Sequence, residues 1–210
     1  MSEGSAERKR GRYAATDAKR EGILAAARTV FEREGLDGAS LRAIAAEAGY
    51  TPAALYFHFD SKEALYAEVL GRSIAALQAA VDAAVAAAGS PSECFCAAAL
   101  AFFDFYAENP RDLDLGFYLF RGGMRPHGLG RERDRALNEA LEATLAPIRE
   151  AALALGADET QADLIMADAF AHASGVLLLA HTQRIRMFGA SARMLMERHV
   201  ETELDRLQRR

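Results

Sequence analysis

The chain has 210 residues, enough to bury a core in one or two domains. A composition of 51% hydrophobic and 26% charged residues excludes a disordered or fibrous chain, and 46 alanines against 5 prolines with no tryptophan favour helix. The net charge of −5 argues against a nucleic-acid partner until its placement along the chain is considered.

Residues 1–15 lack apolar periodicity and carry Arg8, Lys9, Arg10 and Arg12, which reads as a flexible basic arm. Thr16 and Asp17 can cap a first helix whose apolar residues Ile23, Leu24, Ala27, Val30 and Phe31 recur at helical spacing, with Gly35 suited to its end. Ser40 caps a short helix containing Leu41, Ile44 and Ala45, which closes near Gly49. Thr51 and Pro52 open another over about residues 51–59, with proline at its tolerated first position. Asp60 to Glu63 has the form of a capping box and starts a long helix that stops at Gly89. A second box, Ser90-Pro91-Ser92-Glu93, starts a phenylalanine-rich helix that stops at Asn109-Pro110.

Residues 111–130 look irregular and contain the Gly122-Gly123 break. A helix pattern to Gly156 follows, which Pro147 should kink. Two more helices are expected, from Asp158 to near Gly189 and from Ser191 onward. No strand alternation occurs, so the fold class is all-α. No stretch approaches the roughly eighteen uninterrupted apolar residues of a bilayer span, and no membrane partner is expected. The N-terminus lacks the apolar segment of a secretory signal. Cys94 and Cys96, two apart on one helix, point to nearly opposite sides and read as reduced thiols of a cytoplasmic protein.

Two short helices joined by a glycine turn, with a supporting helix before them, are the sequence form of a helix-turn-helix. On the second helix Leu55 and Phe59 share one stripe, while Ala53, Ala54 and Phe57 point the other way. Small residues at 53 and 54 let such a helix sit deep in a major groove, and their methyls can meet thymine methyls. Thr51 offers a hydroxyl to a base or phosphate, and Tyr56 and Lys62 suit phosphates. The helix start at Ser40 offers a phosphate site, and Arg42 can reach the backbone. Core packing is the competing reading for Tyr56 and Phe57, a partly buried polar residue for His58, and a solvated helix face for Arg42.

The run SLRAIAAEAGYTPAALYFHFDSKEAL, residues 40–65, resembles the N-terminal DNA-binding domain of the TetR family of transcriptional regulators. The resemblance is detailed from about residue 16 to 70 and most specific over residues 55–65. The rest of the chain resembles the family in length and helical content. Tyr50 departs from it, since a small aliphatic residue is commoner there, as does Pro52, where a polar residue is frequent. The resemblance implies a helix-turn-helix domain over residues 16–72 and a larger helical ligand-binding and dimerisation domain over 73–210. It implies a repressor that binds a palindromic operator as a homodimer and is released by a hydrophobic small molecule. Tyr56 and Lys62 match phosphate-contacting positions, and the DNA-binding set becomes Ser40, Arg42, Thr51, Pro52, Ala53, Tyr56, Phe57, His58 and Lys62. The last two helices, with Val176, Leu177, Leu178, Leu179, Ile185, Met194, Leu195, Val200, Leu204 and Leu207, occupy the place of the family's four-helix subunit interface.

Aromatic crowding between residues 95 and 120 reads residue by residue as core. The resemblance makes Phe102, Phe103, Tyr106, Phe117, Phe120, Met124, Met166 and His172 candidates for an inducer pocket. No cofactor is expected. His172 and His181 lie nine apart on different turns, and with no carboxylate read at matching spacing no metal site is expected. No Gly-x-Ser-x-Gly, phosphate loop or dinucleotide fingerprint occurs, so the chain is not read as an enzyme. The competing readings are an all-helical small-molecule-binding protein or enzyme without DNA, and a DNA-binding activator. Charge placement favours DNA: residues 8–20 hold six basic residues and one acidic, whereas residues 73–210 hold 14 basic and 19 acidic.

Overall fold

A computed structural model describes residues 3–116 and 128–209, with residues 3–16 given by backbone alone. Every regular element among the described residues is helical. In chain order they are α1 (Glu3–Gly38), α2 (Leu41–Glu47), α3 (Pro52–Tyr56), α4 (Lys62–Ala86), α5 (Pro91–Glu108) and α6 (Pro110–Gly116). Then come α7 (Arg131–Ala154), α8 (Glu159–His181), a 3-10 turn (Arg184–Phe188) and α9 (Ala192–Gln208).

The chain divides into two compact units. One comprises residues 3–72 with 114–116 and 128–135, the other residues 73–113 with 136–209. The expected boundary at residue 72 puts residues 114–135 in the second domain. Their described part clusters with the first unit, where the Tyr66 hydroxyl donates to the Leu115 carbonyl at 2.7 Å and Leu115 and Leu129 are buried.

Three expectations at helix ends change. The basic residues 8–12 lie on α1 rather than in an arm. Glu, Ala, Arg and Lys outnumber Gly4, Ser5 and Gly11 here and no proline interrupts, so helix extends back beyond the Thr16-Asp17 cap. Helix α4 is capped by Ser61, not Asp60: the Ser61 hydroxyl accepts the Ala64 amide at 3.1 Å. α5 stops before Asn109 as expected, but the stretch after it is not all irregular: Pro110 begins α6, at the position where its missing N–H costs nothing.

In the first unit, Ile23, Leu24, Ala27, Val30 and Phe31 of α1 are buried together with Ile44, Leu55, Phe59, Leu65 and Tyr66. Phe31 meets Tyr66 edge to face, with 4.7 Å between centroids. Each large side chain so buried contributes about 1.5–3 kcal/mol. Arg20 pairs with Glu68, and Arg72 pairs with Glu21 at 2.5 Å, so two charged bridges join α1 to α4. The Arg72 guanidinium holds the Glu21 carboxyl below the ordinary carboxylate range.

In the second unit α5, α8 and α9 pack on one another. Phe95, Ala98, Ala99, Phe102, Phe103 and Tyr106 form the buried face of α5. Arg193 of α9 pairs with Asp104 of α5, and Arg149 of α7 reaches Asp163 of α8 at 2.6 Å. α7 runs through Pro147 as one helix, and α8 ends at His181, short of the expected Gly189, because Gln183 takes a left-handed backbone with φ 61°. By length and mean hydropathy α4 and α8 are apolar enough to cross a bilayer. Each nonetheless carries ion-paired groups, Glu68 and Arg72 on one and Asp163 on the other.

Candidate nucleic-acid interface

The surface around α2 and α3 is built from two capped helix starts and one left-handed turn. Ser40 has extended backbone, and its hydroxyl accepts the Ala43 amide at 3.1 Å. Thr51 does the same for α3, accepting the Ala54 amide at 3.3 Å, with Pro52 next in line. Between them α2 closes on Gly49, at φ 72°. The Gly49 amide donates to the Ala46 carbonyl at 3.2 Å and the Tyr50 amide to the Ala45 carbonyl at 2.8 Å. This is the Schellman arrangement, and its left-handed residue favours glycine because a Cβ would strain the backbone.

The turn fixes which way α3 faces. Leu55 is 0% and Phe59 5% exposed, and Arg20 stacks its guanidinium 5.1 Å from the Phe59 ring centre. On the opposite side Thr51, Pro52 and Ala53 are exposed, Tyr56 is 59% exposed and Phe57 86%. His58 is half-buried, its ring edge to face with that of Phe57 at 5.6 Å between centroids. Tyr56 at the end of α3 and Phe57 just after it thus present two adjacent aromatic rings to the outside.

An open groove beside this face is lined by Ser40, Leu41, Arg42, Pro52, Tyr56, Ser61 and Lys62, together with Ala39, Asp60 and Glu63. Five of the nine residues singled out in the sequence therefore meet in one concavity, while Thr51, Ala53, Phe57 and His58 lie on α3 and the turn that follows it. Lys62 also makes contacts within the chain. Its ammonium donates to the Leu36 carbonyl at 2.9 Å and the Ala39 carbonyl at 3.4 Å, and reaches the Asp37 carbonyl at 3.5 Å. These carbonyls follow the break at Gly35, where φ is 72° and ψ 178°, and lead into α2, so the ammonium ties this connection to the start of α4.

Residues 23–69 match the model of the tetR family of bacterial regulatory proteins. Over that segment the chain is similar to that family. It is 43% identical over 54 residues to the HTH-type transcriptional repressor BepR of Brucella suis biovar 1, covering 26% of each chain. Over 109 residues it is 35% identical to the HTH-type transcriptional activator FasR of Mycolicibacterium smegmatis, covering 52% of this chain and 50% of that one. The chain thus spans half or less of these curated relatives. A bacterial regulatory protein of the tetR family from Rhodococcus RHA1 shares the fold at TM-score 0.65 and 22% identity, covering 89% of this chain and 95% of the other.

The remaining sequence candidates lie elsewhere. Phe102, Phe103 and Tyr106 are buried on α5, and Met166 and His172 are half-buried on α8. Phe102 contacts Tyr106 and Phe170 edge to face at 5.3 and 5.9 Å between centroids. Burial first, then the charge of Asp112, pushes the Tyr106 hydroxyl up to about 12. Phe117, Phe120, Met124 and the Gly122-Gly123 break lie outside the described residues.

Of the apolar residues assigned to the subunit interface, Val176, Leu177, Ile185, Val200 and Leu207 are instead buried within the chain. Helical periodicity marks an apolar face without saying what covers it. Leu178 and Met194 stay exposed, and Leu164 joins them. Leu164, Asp168, Ala171, Gly175 and Leu178 recur at four- and three-residue spacing along one exposed face of α8. Leu164 was not among the residues singled out, although its place in that repeat was readable.

Proposed function

We propose that the chain is a DNA-binding transcriptional regulator that uses α3 as its reading helix. The observation that carries this is the outward face of α3: Thr51, Pro52, Ala53, Tyr56 and Phe57 exposed over a buried Leu55 and Phe59. Ala53 and Phe57 meet base edges and thymine methyls in the major groove, and the Thr51 hydroxyl reaches a base or phosphate. Tyr56, Ser40 and Arg42 hold phosphates across the groove, while His58 supports Phe57 from behind. Lys62 positions the end of α1 under α2 and so sets the angle at which α3 is presented.

One reading helix makes few base contacts, so the chain acts as a homodimer on two half-sites separated by whole helical turns. The exposed stripe of α8 with Met194 of α9 is the dimer surface. The aromatic face of α5, with Met166 and His172, forms the site of a hydrophobic effector. Its binding favours a dimer whose reading helices no longer fit successive major grooves, which releases the operator and makes the protein a cytoplasmic repressor.

Selection of bound duplexes from random DNA tests this reading. The expected product is an inverted repeat with half-site centres about 10–10.5 base pairs apart or a multiple of that. Failure to retard any duplex at low salt overturns it.

A further inference from the structure

Four titratable side chains meet where α8 and α9 pack. Asp168 and His172 are four apart on α8, and His199 and Glu203 are four apart on α9, so each helix turns one pair toward the other. Ligand atoms of Asp168, His199 and Glu203 lie within 4.8 Å of one another. The Nε2 atom of His199 is buried and has no hydrogen-bond partner among the described residues. Asp168 Oδ2 stands 3.9 Å from it, too far for a hydrogen bond but suitable for two ligands of one ion. The His172 ring lies flat on that of His199, with 4.0 Å between centroids and 9° between planes.

We propose that Asp168, His199 and Glu203 bind a divalent transition-metal ion of the zinc class, bridging α8 and α9. One imidazole nitrogen and two carboxylate oxygens suit Zn2+ and do not suit thiolate-seeking Cu+. Sites of this kind are built from side chains on facing helices, and three protein ligands leave a position for water or an exogenous group. Bonds of about 2.0–2.2 Å require the donors to close in. The Asp168 side chain is 62% exposed and free to rotate inward. Glu203 now pairs with Arg206, whose side chain is 68% exposed and turns into water at little cost.

His172 is a positioning residue. Its Nε2 sits 3.3 Å from the Leu195 carbonyl oxygen, and its ring fixes the plane of the His199 imidazole. His181 takes no part in the group. The three ligands come from a single chain, so the site does not depend on DNA binding, although Asp168 also lies on the α8 stripe proposed as the dimer surface.

The test is calorimetric titration of the chelator-stripped full chain with Zn2+, paralleled by Co2+ with visible spectra. The expected result is one ion per chain and ligand-field bands for Co2+. Asp168→Asn and Glu203→Gln, which preserve size, each weaken binding by roughly tenfold or more while far-UV circular dichroism stays unchanged. His199→Gln removes the Co2+ bands. No saturable binding by the wild-type chain, or equal binding by wild type and all three variants, overturns the proposal. Either outcome leaves the DNA-binding reading untouched.

Discussion

Replacing Lys62 by methionine separates two uses of one ammonium group. In the structure that group donates to the Leu36 and Ala39 carbonyls at 2.9 and 3.4 Å. Methionine keeps the apolar stem and removes the donors. A hydrogen bond from a charged group contributes about 1.5–3 kcal/mol net. Lys62 is half-buried and its second bond is long, so the two together are assigned about 2 kcal/mol. That loss accelerates amide exchange through local opening at residues 36–45 by roughly thirtyfold, measurable by deuterium exchange. A phosphate contact predicts something else: the slope of log affinity against log salt falls by about 0.9 for each lysine lost. The account expects faster exchange with an unchanged salt slope. A reduced slope with unchanged exchange at residues 36–45 refutes it.

Phe57→Ala removes an 86% exposed ring, so stability in urea stays within about 0.5 kcal/mol, while operator affinity measured by fluorescence anisotropy falls about tenfold. Leu178→Glu places a charge at a 61% exposed position on the α8 stripe; sedimentation velocity at micromolar concentration should show monomer in place of dimer, with helix content unchanged. The raised Tyr106 pKa means that folding favours the neutral phenol. Its stabilising effect is complete below about pH 10 and disappears as pH rises through about 12, so base unfolding of wild type carries a Tyr106 component that Tyr106→Phe removes.

Much of the surface around α2 and α3 was legible because its signals are local. Ser40 and Thr51 cap through a hydroxyl three residues from the amide it accepts, and Gly49 supplies the positive φ that the turn requires. The alternation of Leu55 and Phe59 with Phe57 follows from helical geometry alone. What the sequence hid depends on distant partners. Lys62 finds carbonyls 23–26 residues away, beyond any periodic signal. Val176 and Val200 have the spacing of an interface face but are covered by their own chain. Asp60 and Ser61 both have oxygens able to cap α4, and only the backbone decides for Ser61. The cluster at Asp168, His199 and Glu203 joins residues on two helices, and its clues were two separate four-residue spacings, Asp168 with His172 and His199 with Glu203.

The most direct measurement on the central claim is deuterium exchange of the full chain with and without a duplex selected from random DNA. The account predicts new protection at residues 40–43 and 51–58, the capped helix starts and the outward face of α3. Unchanged exchange across residues 40–62 on a duplex the chain demonstrably binds would contradict it.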